Sequence, residues 1–250
     1  MRRALNALSA GPNYRAESFT RGLTAAGLQV VQELQRPGPG DVLLVWNRHG
    51  AKDAMARHFE QAGATVLVAE NGYLGKVWQG KKWFALARGH HAGAGEWFPG
   101  GPERWDSWGA EISPWRDGGR EVIVLEQRGI GEPGVASPNG WANHVQARIG
   151  ARIRAHPGAA MPAVSLVDDL KDARCVATWH SGAALHALLM GVPVFYGFPQ
   201  WIGAGAARPL AEFNKGPAHG DRLAMFRRLA WAMWTAEEIE SGEPIRRLTG

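Results

Sequence analysis

Short apolar runs alternate with segments of mixed polarity along the first part of this chain, and glycine or proline separates many of them. The apolar runs predict strands, and the mixed segments between them predict helices with one buried face. The predicted strands cover residues 4–8, 28–34, 41–46 and 64–69, and the predicted helices cover residues 16–26 and 52–62. This alternation is typical of a parallel sheet that carries helices on both faces.

The same alternation resumes at Glu121 and continues almost to the end of the chain. The predicted strands cover residues 121–125, 151–155, 176–179 and 192–195, and the predicted helices cover residues 141–150, 164–172, 182–190 and 221–234. Thr235 and Glu238 have the spacing of a capping box, which predicts one more short helix. We therefore expect an α/β protein with two facing Rossmann-like domains, residues 1–115 and 120–250, with the last helix packed back on the first domain.

The pattern fails between residues 88 and 119, where glycine, proline and tryptophan are frequent. A loop of this length inside a compact protein is usually functional or disordered, and the tryptophan content argues against disorder. Four tryptophans fall there: Trp97, Trp105, Trp108 and Trp115. Because tryptophan stacks on sugars or bases in binding sites and packs in cores elsewhere, the segment is either a substrate loop or a linker.

The stretch from residue 176 to residue 195 predicts a strand, a tight turn, a helix and a second strand. Ser181 is a favourable N-cap for the helix, and Gly191 is a favourable residue just after its end. A turn of small residues before a helix leaves backbone N–H groups free at the positive end of the helix dipole. The stretch therefore indicates a phosphate-bearing ligand.

Ligands of two such domains bind in the crevice beyond the carboxyl ends of the strands, so residues that follow a strand are candidates for the site. Glu70 follows the fourth predicted strand and is either a general base or an acid that caps a turn. Arg128 and Gly129 follow the strand that begins at Glu121, and an arginine there can hold a phosphate bidentately.

Two histidines also follow predicted strands of the second half. His156 precedes a proline at the end of the strand over residues 151–155, and His180 precedes Ser181. Histidine can carry a positive charge or donate a hydrogen bond to a phosphate. The alternatives are a loop histidine for His156 and a plain helix cap for Ser181.

Composition sets the class of protein. The chain has 250 residues, of which 45% are hydrophobic and 20% charged, as in a soluble globular protein of one large or two small domains. No apolar stretch reaches the length of about 18 residues that a membrane span needs, and we expect a cytoplasmic protein.

The single cysteine, Cys175, excludes an internal disulfide and is expected to be a buried thiol. A net charge of +5 fits either a solvated basic surface or a polyanionic partner.

The order of the motifs resembles a known family. Glu-Asn-Gly at residues 70–72, His-Pro at 156–157 and Ser-Gly at 181–182 before Ala-Leu-Leu-Met-Gly-Val-Pro-Val are similar to motifs of the capsular polysaccharide (Kdo transferase-like) and bacterial sialyltransferase-like glycosyltransferases. The resemblance implies a two-domain GT-B fold. The compact length and the tryptophan-rich loop resemble phage-encoded versions of such enzymes.

The resemblance also implies roles for individual residues. Glu70 takes the place of the general base, and His156 takes a place at the donor phosphate, where it stabilises the leaving group. The resemblance implies that His156, His180 and Ser181 lie at the donor phosphates. With the residues selected by their place in the sequence, the predicted donor set comprises Arg128, Gly129, His156, His180, Ser181, Gly182 and His186. The acceptor set comprises Asn13, Tyr14, Asn71, His90, His91 and Trp97. The sequence departs from the family in having Asn71 where a second acid stands and His186 where many GT-B enzymes have a ribose-binding glutamate.

These observations predict an inverting glycosyltransferase that uses a nucleotide-sugar as co-substrate and needs neither a metal ion nor a cofactor. The chain has no Asp-x-Asp motif, which agrees with that expectation. Two acceptors stay open: a surface polysaccharide, or a hydroxymethylated base in DNA, as in phage DNA modification. The alternative function is a non-catalytic module that binds a nucleotide or a polyanion on the same fold.

Overall fold

The computed structural model describes residues 1–158 and 164–250, and the chain divides into two compact units. The first unit contains Met1–Gly100 and Leu229–Gly250, and the second contains Gly101–Arg228. The expected division at residues 115–120 differs from this one. The chain enters the second unit earlier than expected, and its last 22 residues belong to the first unit.

The first unit is built on a mixed sheet of seven strands in the described residues, in the order β12-β6-β4-β3-β1-β2, with β5 paired to β6. Strands β2, β1, β3 and β4 are parallel, whereas β6 is antiparallel to β4 and β12 is antiparallel to β6. Its elements are β1 (Arg3–Asn6), α1 (Ala16–Ala25), β2 (Gln29–Val31), β3 (Val42–Trp46), α2 (Ala51–Gln61), β4 (Thr65–Asn71), β5 (Val77–Trp78), β6 (Lys81–Arg88), β12 (Met233–Thr235), α8 (Ala236–Glu240) and α9 (Glu243–Thr249).

The predicted strands of this unit form where apolar side chains are buried. All five residues of β3 are buried, which explains why its sequence is a continuous apolar run and not an alternating one. Strand β6 was not predicted from the sequence, because its lysine-rich start and alanine-rich centre lack a strand pattern. Its central residues, from Trp83 to Ala87, are nevertheless buried between two neighbouring strands.

The predicted helix over residues 221–234 ends earlier than expected. Helix α7 covers Arg222–Ala230, and the chain then forms β12, which pairs with β6. Trp234 is buried in that strand, so sheet pairing and burial override the helical spacing of the apolar residues. The predicted capping box is confirmed, since Thr235 and Glu238 exchange both hydrogen bonds at the start of α8.

The described residues of the second unit form a fully parallel sheet of five strands, in the order β11-β10-β9-β7-β8. Cys175 is buried in β9, as predicted, and burial raises the pKa of its thiol. The elements of this unit are α3 (Glu103–Asp106), β7 (Glu121–Leu125), α4 (Trp141–Ile149), β8 (Arg152–Arg154), α5 (Leu166–Lys171), β9 (Ala173–Thr178), α6 (Ala183–Leu189), β10 (Val194–Tyr196), β11 (Arg208–Pro209), α7, and 3-10 helices over Ala204–Ala206 and Leu210–Lys215.

The tryptophan-rich segment is not one loop, because its two parts belong to different units. In the first unit, Arg88 and Glu96 exchange backbone hydrogen bonds of 2.8 and 2.9 Å, which closes a compact turn. In the second unit, Trp105 is buried in the short helix α3 and stacks on Phe226 with a centroid distance of 4.7 Å. These tryptophans are therefore packing residues in large part.

Both units alternate strands and helices around a mainly parallel sheet, so the predicted α/β class with two Rossmann-like domains is confirmed. Within the described residues, no helix has the length and apolar character needed to cross a lipid bilayer.

Two glycines at helix ends offer a test of the packing in the second unit. Gly191 has φ of 78°, and a Cβ added there would lie 1.9 Å from the carbonyl oxygen of Pro114. Gly150 has φ of 64°, and a Cβ there would meet nothing within 4 Å. We expect Gly191→Ala to lower the free energy of unfolding by about 2–5 kcal/mol and Gly150→Ala by about 1–2 kcal/mol, as measured by urea denaturation. Equal losses in the two variants would contradict the close approach at Pro114.

Candidate active site

The carboxyl ends of the strands in the second unit gather the predicted donor residues. The chain runs from β7 outward to β8 and then returns to β9 on the other side of β7, so the strand order reverses between β7 and β9. Open parallel sheets bind ligands at such a reversal, beyond the strand ends. Arg128 follows β7, His156 follows β8 and His180 follows β9, which places all three at this edge.

The side chain of Gln127 joins the end of β7 to the end of β9. Its Oε1 accepts the backbone N–H of His180 at 2.7 Å, and its Nε2 lies 2.9 Å from Nδ1 of His180. Since the amide nitrogen must donate, Nδ1 of His180 accepts, and the neutral ring carries its proton on Nε2. Gln127 belongs to no motif in the sequence, and its place next to Arg128 at a strand end is the signal that could have identified it.

The turn before α6 is less open to an anion than the sequence indicates. The N–H of Ser181 donates to Oγ1 of Thr178 at 2.8 Å, and the N–H of Ala183 donates to Oγ of Ser181 at 3.2 Å. The N–H of Ala184 donates to the carbonyl oxygen of Ser181. Helix α6 begins at Ala183, one residue later than predicted, with Gly182 as its N-cap. Most of the amides expected to bind phosphate are therefore engaged inside the turn.

His156 is held in a defined tautomer. The N–H of Gly158 donates to Nδ1 of His156 at 2.8 Å, so the neutral ring carries its proton on Nε2. Partial burial, together with the nearby charge of Arg128, lowers the pKa of His156. A Cβ added at Gly158 would lie 3.1 Å from His156 Nδ1 and 3.2 Å from Arg128 Cδ, so both side chains lie beside this glycine. His156 thus offers a neutral N–H donor next to an arginine.

A cavity of about 150 Å³ opens beside Arg128, between the end of β7 and the start of α4. Gly129 lines it and has φ of 65°, a left-handed conformation that favours glycine. The indole Nε1–H of Trp179 donates to the carbonyl oxygen of Val135 at 2.8 Å, and Trp179 meets Trp141 edge to face at 5.9 Å. These contacts fix the loop that follows β7.

Glu70 lies in the first unit, near the end of β4. Its Oε1 accepts the backbone N–H of Ala92 at 2.7 Å. Burial raises the pKa of Glu70 to about 7, while the hydrogen bond from the backbone N–H of Ala92 acts in the opposite direction. A carboxylate with this pKa can take a proton and release it again near neutral pH.

Residues 90–92, which we call the histidine turn, hold the backbone N–H that donates to Glu70. His91 is buried, and its Nδ1 accepts the backbone N–H of Arg48 at 3.0 Å. His90 stacks on His91 with a centroid distance of 4.6 Å, and burial together with the charge of Arg48 lowers its pKa. Ala92 follows with φ of 57°, which aims its N–H at Glu70. Of the two predicted acceptor histidines, His91 is a structural residue and His90 is partly exposed.

The charge of Arg48 is neutralised nearby. Its guanidinium donates to Asp53 at 2.6 Å and to both carboxylate oxygens of Glu60, at 2.6 and 2.8 Å. It also donates to the carbonyl oxygen of Gly89 at 2.7 Å. Arg48 therefore holds the backbone of Gly89 and the ring of His91 in place. No sequence pattern indicates this role for Arg48.

The other predicted acceptor residues have different surroundings. Tyr14 meets Trp46 edge to face at 5.0 Å, and Trp46 pairs with the residue before Glu70 across β3 and β4. Asn71 is exposed at the end of β4. Asn13 is exposed and accepts a hydrogen bond from Lys76 at 2.5 Å.

Two predicted residues lie apart from these groups. Trp97 is 5% exposed, so its indole has little surface to offer an acceptor. Its burial follows from its size and apolar character, and it corrects the expectation of an acceptor contact. His186 lies one turn into α6, beyond the turn that holds Ser181.

The described residues contain no group of three or more His, Cys, Asp or Glu side chains that could hold a metal ion. The second unit thus provides an arginine and an imidazole N–H at the strand ends, and the first unit provides the half-buried carboxyl group of Glu70. An arginine and an imidazole N–H can bind an anion, and a carboxyl group can accept a proton.

Comparison with solved structures finds proteins with the same fold. The chain is similar to KpsC of Thermosulfurimonas dismutans, a β-Kdo 2,7-transferase, with a TM-score of 0.61 and 13% identity over 97% of this chain and 98% of that one. It is also similar to a β-Kdo 2,4-transferase of KpsC from the same organism, with a TM-score of 0.58 and 14% identity over 93% of this chain and 92% of that one. No protein-family model and no curated protein matches the sequence. The resemblance predicted from the motifs is thus confirmed at the level of the fold.

The raised pKa of Glu70 predicts a particular dependence of stability on pH. Between pH 4.5 and about 7 the folded chain keeps a proton that the unfolded chain releases, so the free energy of unfolding falls as the pH rises through this range. Glu70→Gln has no such proton. Relative to the wild type, its free energy of unfolding should increase by roughly 2–3 kcal/mol between pH 5 and pH 8.

Urea denaturation at several pH values measures this difference. Glu237→Gln, at an exposed position of α8, is the matched control and should follow the wild type. If Glu70→Gln and the wild type changed in parallel with pH, the carboxyl group of Glu70 would be an ordinary solvated acid.

Proposed function

We propose that this protein is a glycosyltransferase that moves a sugar from a nucleotide-sugar to an acceptor hydroxyl with inversion at the anomeric carbon. The observation that carries the proposal is the carboxyl group of Glu70, whose pKa of about 7 suits a general base. The likeness to two Kdo transferases supports the same class of reaction. The resemblance of the His-Pro and Ser-Gly motifs to donor-binding motifs adds to this support.

The second unit binds the donor in this proposal. Arg128 holds the phosphates bidentately, and the Nε2–H of His156 donates to the leaving phosphate oxygen. The hydroxyl of Ser181 accepts from Ala183 but keeps its own hydrogen, which it donates to a phosphate oxygen. We propose that these groups, without a metal ion, stabilise the negative charge of the leaving nucleotide.

The first unit activates the acceptor. Glu70 takes the proton of the acceptor hydroxyl while the hydroxyl oxygen forms a bond to the anomeric carbon of the sugar. The bond from that carbon to the nucleotide phosphate breaks, and the electron pair leaves with the phosphate. Glu70 is then protonated and releases the proton to solvent, which a pKa near 7 allows without a large barrier.

A glycan is the acceptor that the observations favour. The similar solved structures are Kdo transferases, and the half-buried side chain of Tyr14 lies against Trp46, whose strand pairs with β4. A hydroxymethylated base in DNA stays as the second candidate, supported by the net charge of +5. Its support is weaker than the sequence indicates, because Trp97 and Trp105 are buried and unavailable for stacking on bases.

A binding module without catalysis is the competing function. Such a protein would bind a nucleotide-sugar on the second unit but show no transfer and no hydrolysis. The raised pKa of Glu70 argues against it, since a purely structural carboxylate gains nothing from burial that disfavours its charge.

Donor binding is tested with substitutions at the strand ends. His156→Asn keeps an acceptor for the N–H of Gly158 but removes the Nε2–H, and Ser181→Ala removes the hydroxyl. Each should weaken nucleotide-sugar binding in calorimetric titration by about 1.5–3 kcal/mol, roughly tenfold to a hundredfold. His144→Ala, an exposed histidine on α4, is the control and should bind normally. Unchanged affinity in both site variants would remove these residues from the donor site.

Catalysis is tested with Glu70→Gln, which keeps the shape of the side chain and removes the base. Single-turnover transfer at saturating donor should slow by a factor of roughly 10²–10⁴, while donor affinity stays the same. Asn71→Asp, at the exposed neighbour, places a carboxylate one residue away and should not restore the rate in the Glu70→Gln background. A near-normal rate for Glu70→Gln would exclude it as the base.

A further inference from the structure

A second cavity lies in the second unit, away from the strand ends that hold the donor residues. Its volume is about 530 Å³, within the range of roughly 300–1,000 Å³ usual for small-molecule sites. The N–H of Ser113 donates to the carbonyl oxygen of Leu189, and the N–H of Arg116 donates to that of Gly191. The wall of the cavity therefore packs against the end of α6, at the opposite edge of the sheet from His156.

A buried arginine without a counter-ion lines this cavity. Arg222 is 8% exposed, and its Nη1 donates to the carbonyl oxygens of Ser113 and Leu188, each at 2.8 Å. Among the described residues no carboxylate lies within ion-pair distance of it, and residues 159–163 contain no acid. Burial alone lowers the pKa of Arg222, as expected for a cation with no anion beside it.

The position of the guanidinium is fixed. It lies 3.8 Å from the centroid of the Trp115 ring, and Trp115 stacks on His219 at 4.8 Å. Two carbonyl oxygens and one aromatic face thus hold a positive charge at the cavity wall. Burying an unpaired charge is costly, so the arrangement favours an anionic group that enters the cavity and pairs with Arg222.

The other walls indicate what the anion is attached to. Leu223 is 41% exposed, and together with Ile112 it gives the cavity an apolar side. Asp221 and Asp106 bring carboxylates that accept hydrogen bonds from hydroxyl groups. The charge of Asp106 is already balanced by Arg227, whose Nε and Nη2 lie at 3.1 and 2.9 Å.

We infer that this cavity binds an acidic sugar unit of a glycan chain, with its carboxylate on Arg222 and its hydroxyl groups on Asp221 and Asp106. A carboxylated pyranose combines an anion, several hydroxyl donors and an apolar ring face, and these match the three kinds of wall. The site lies away from the strand ends that hold Arg128 and His156, so it anchors a chain and takes no part in bond making. Binding here requires neither donor nor turnover.

The probe is a fluorescently labelled hexasaccharide of alternating glucuronic acid and N-acetylglucosamine, with binding followed by fluorescence anisotropy. A neutral hexasaccharide of N-acetylglucosamine is the control glycan without carboxylates. Inorganic phosphate is added as a competitor to test whether the cavity binds any small anion. We expect the acidic chain to bind at least about tenfold more tightly than the neutral chain, with no effect of phosphate at the same concentration. Equal binding of the two chains, no binding of the acidic chain, or its displacement by phosphate would overturn the inference.

Two pairs of variants locate the binding. Arg222→Gln should abolish the preference for the acidic chain, and Arg222→Lys should retain part of it. Because Arg222 also ties two carbonyl groups, Leu223→Glu serves as a second test at an exposed position near the start of α7, where an acid is favourable for the helix. It places a carboxylate in the cavity and should weaken binding about tenfold relative to Leu223→Gln. Equal affinities in the Leu223 pair would exclude this cavity as the site.

Discussion

The parallel alignment of β7, β8 and β9 is the constraint on which the proposed donor site depends. Parallel strands bring their carboxyl ends to one edge, and the reversal of strand order beside β7 leaves room there for a ligand. Gln127 then fixes the edge, because its amide hydrogen-bonds both the backbone and the ring of His180. With that turn fixed, Arg128 and His156 remain as the groups that can meet an anion.

The two units use opposite electrostatic devices. In the second unit, the hydrogen-bond donors at the strand ends are the positively charged Arg128 and the imidazole of His156. The lowered pKa of His156 keeps its imidazole a neutral hydrogen-bond donor near pH 7. In the first unit, burial makes the carboxylate of Glu70 less stable and so a better proton acceptor than a solvated acid. A transfer reaction needs both, since the leaving group gains negative charge while the acceptor loses a proton.

The sequence predicted the parallel strands well, because a strand buried on both faces has a continuous apolar run, as in β3. It did not predict β6, whose start and centre lack a strand pattern, or β12, which pairs with β6 across some 150 positions of sequence. Glu70 and His156 could be selected as candidate site residues because each follows a predicted strand. Residues that act through their hydrogen bonds, such as Gln127 and Arg48, have no sequence pattern of their own. The hydrogen bond from the N–H of Ser181 to the side chain of Thr178 could not be predicted from the spacing of residues either.

The central claim is that burial gives Glu70 the proton affinity of a base that works near neutral pH. Carbon-13 NMR of protein labelled at glutamate carboxyl groups measures this directly, with Glu70→Gln assigning the resonance. The titration of Glu70 should have its midpoint near pH 7. A midpoint near 4.5, the ordinary value for glutamate, would show that the carboxylate is solvated, and the role proposed for it would then have no physical basis.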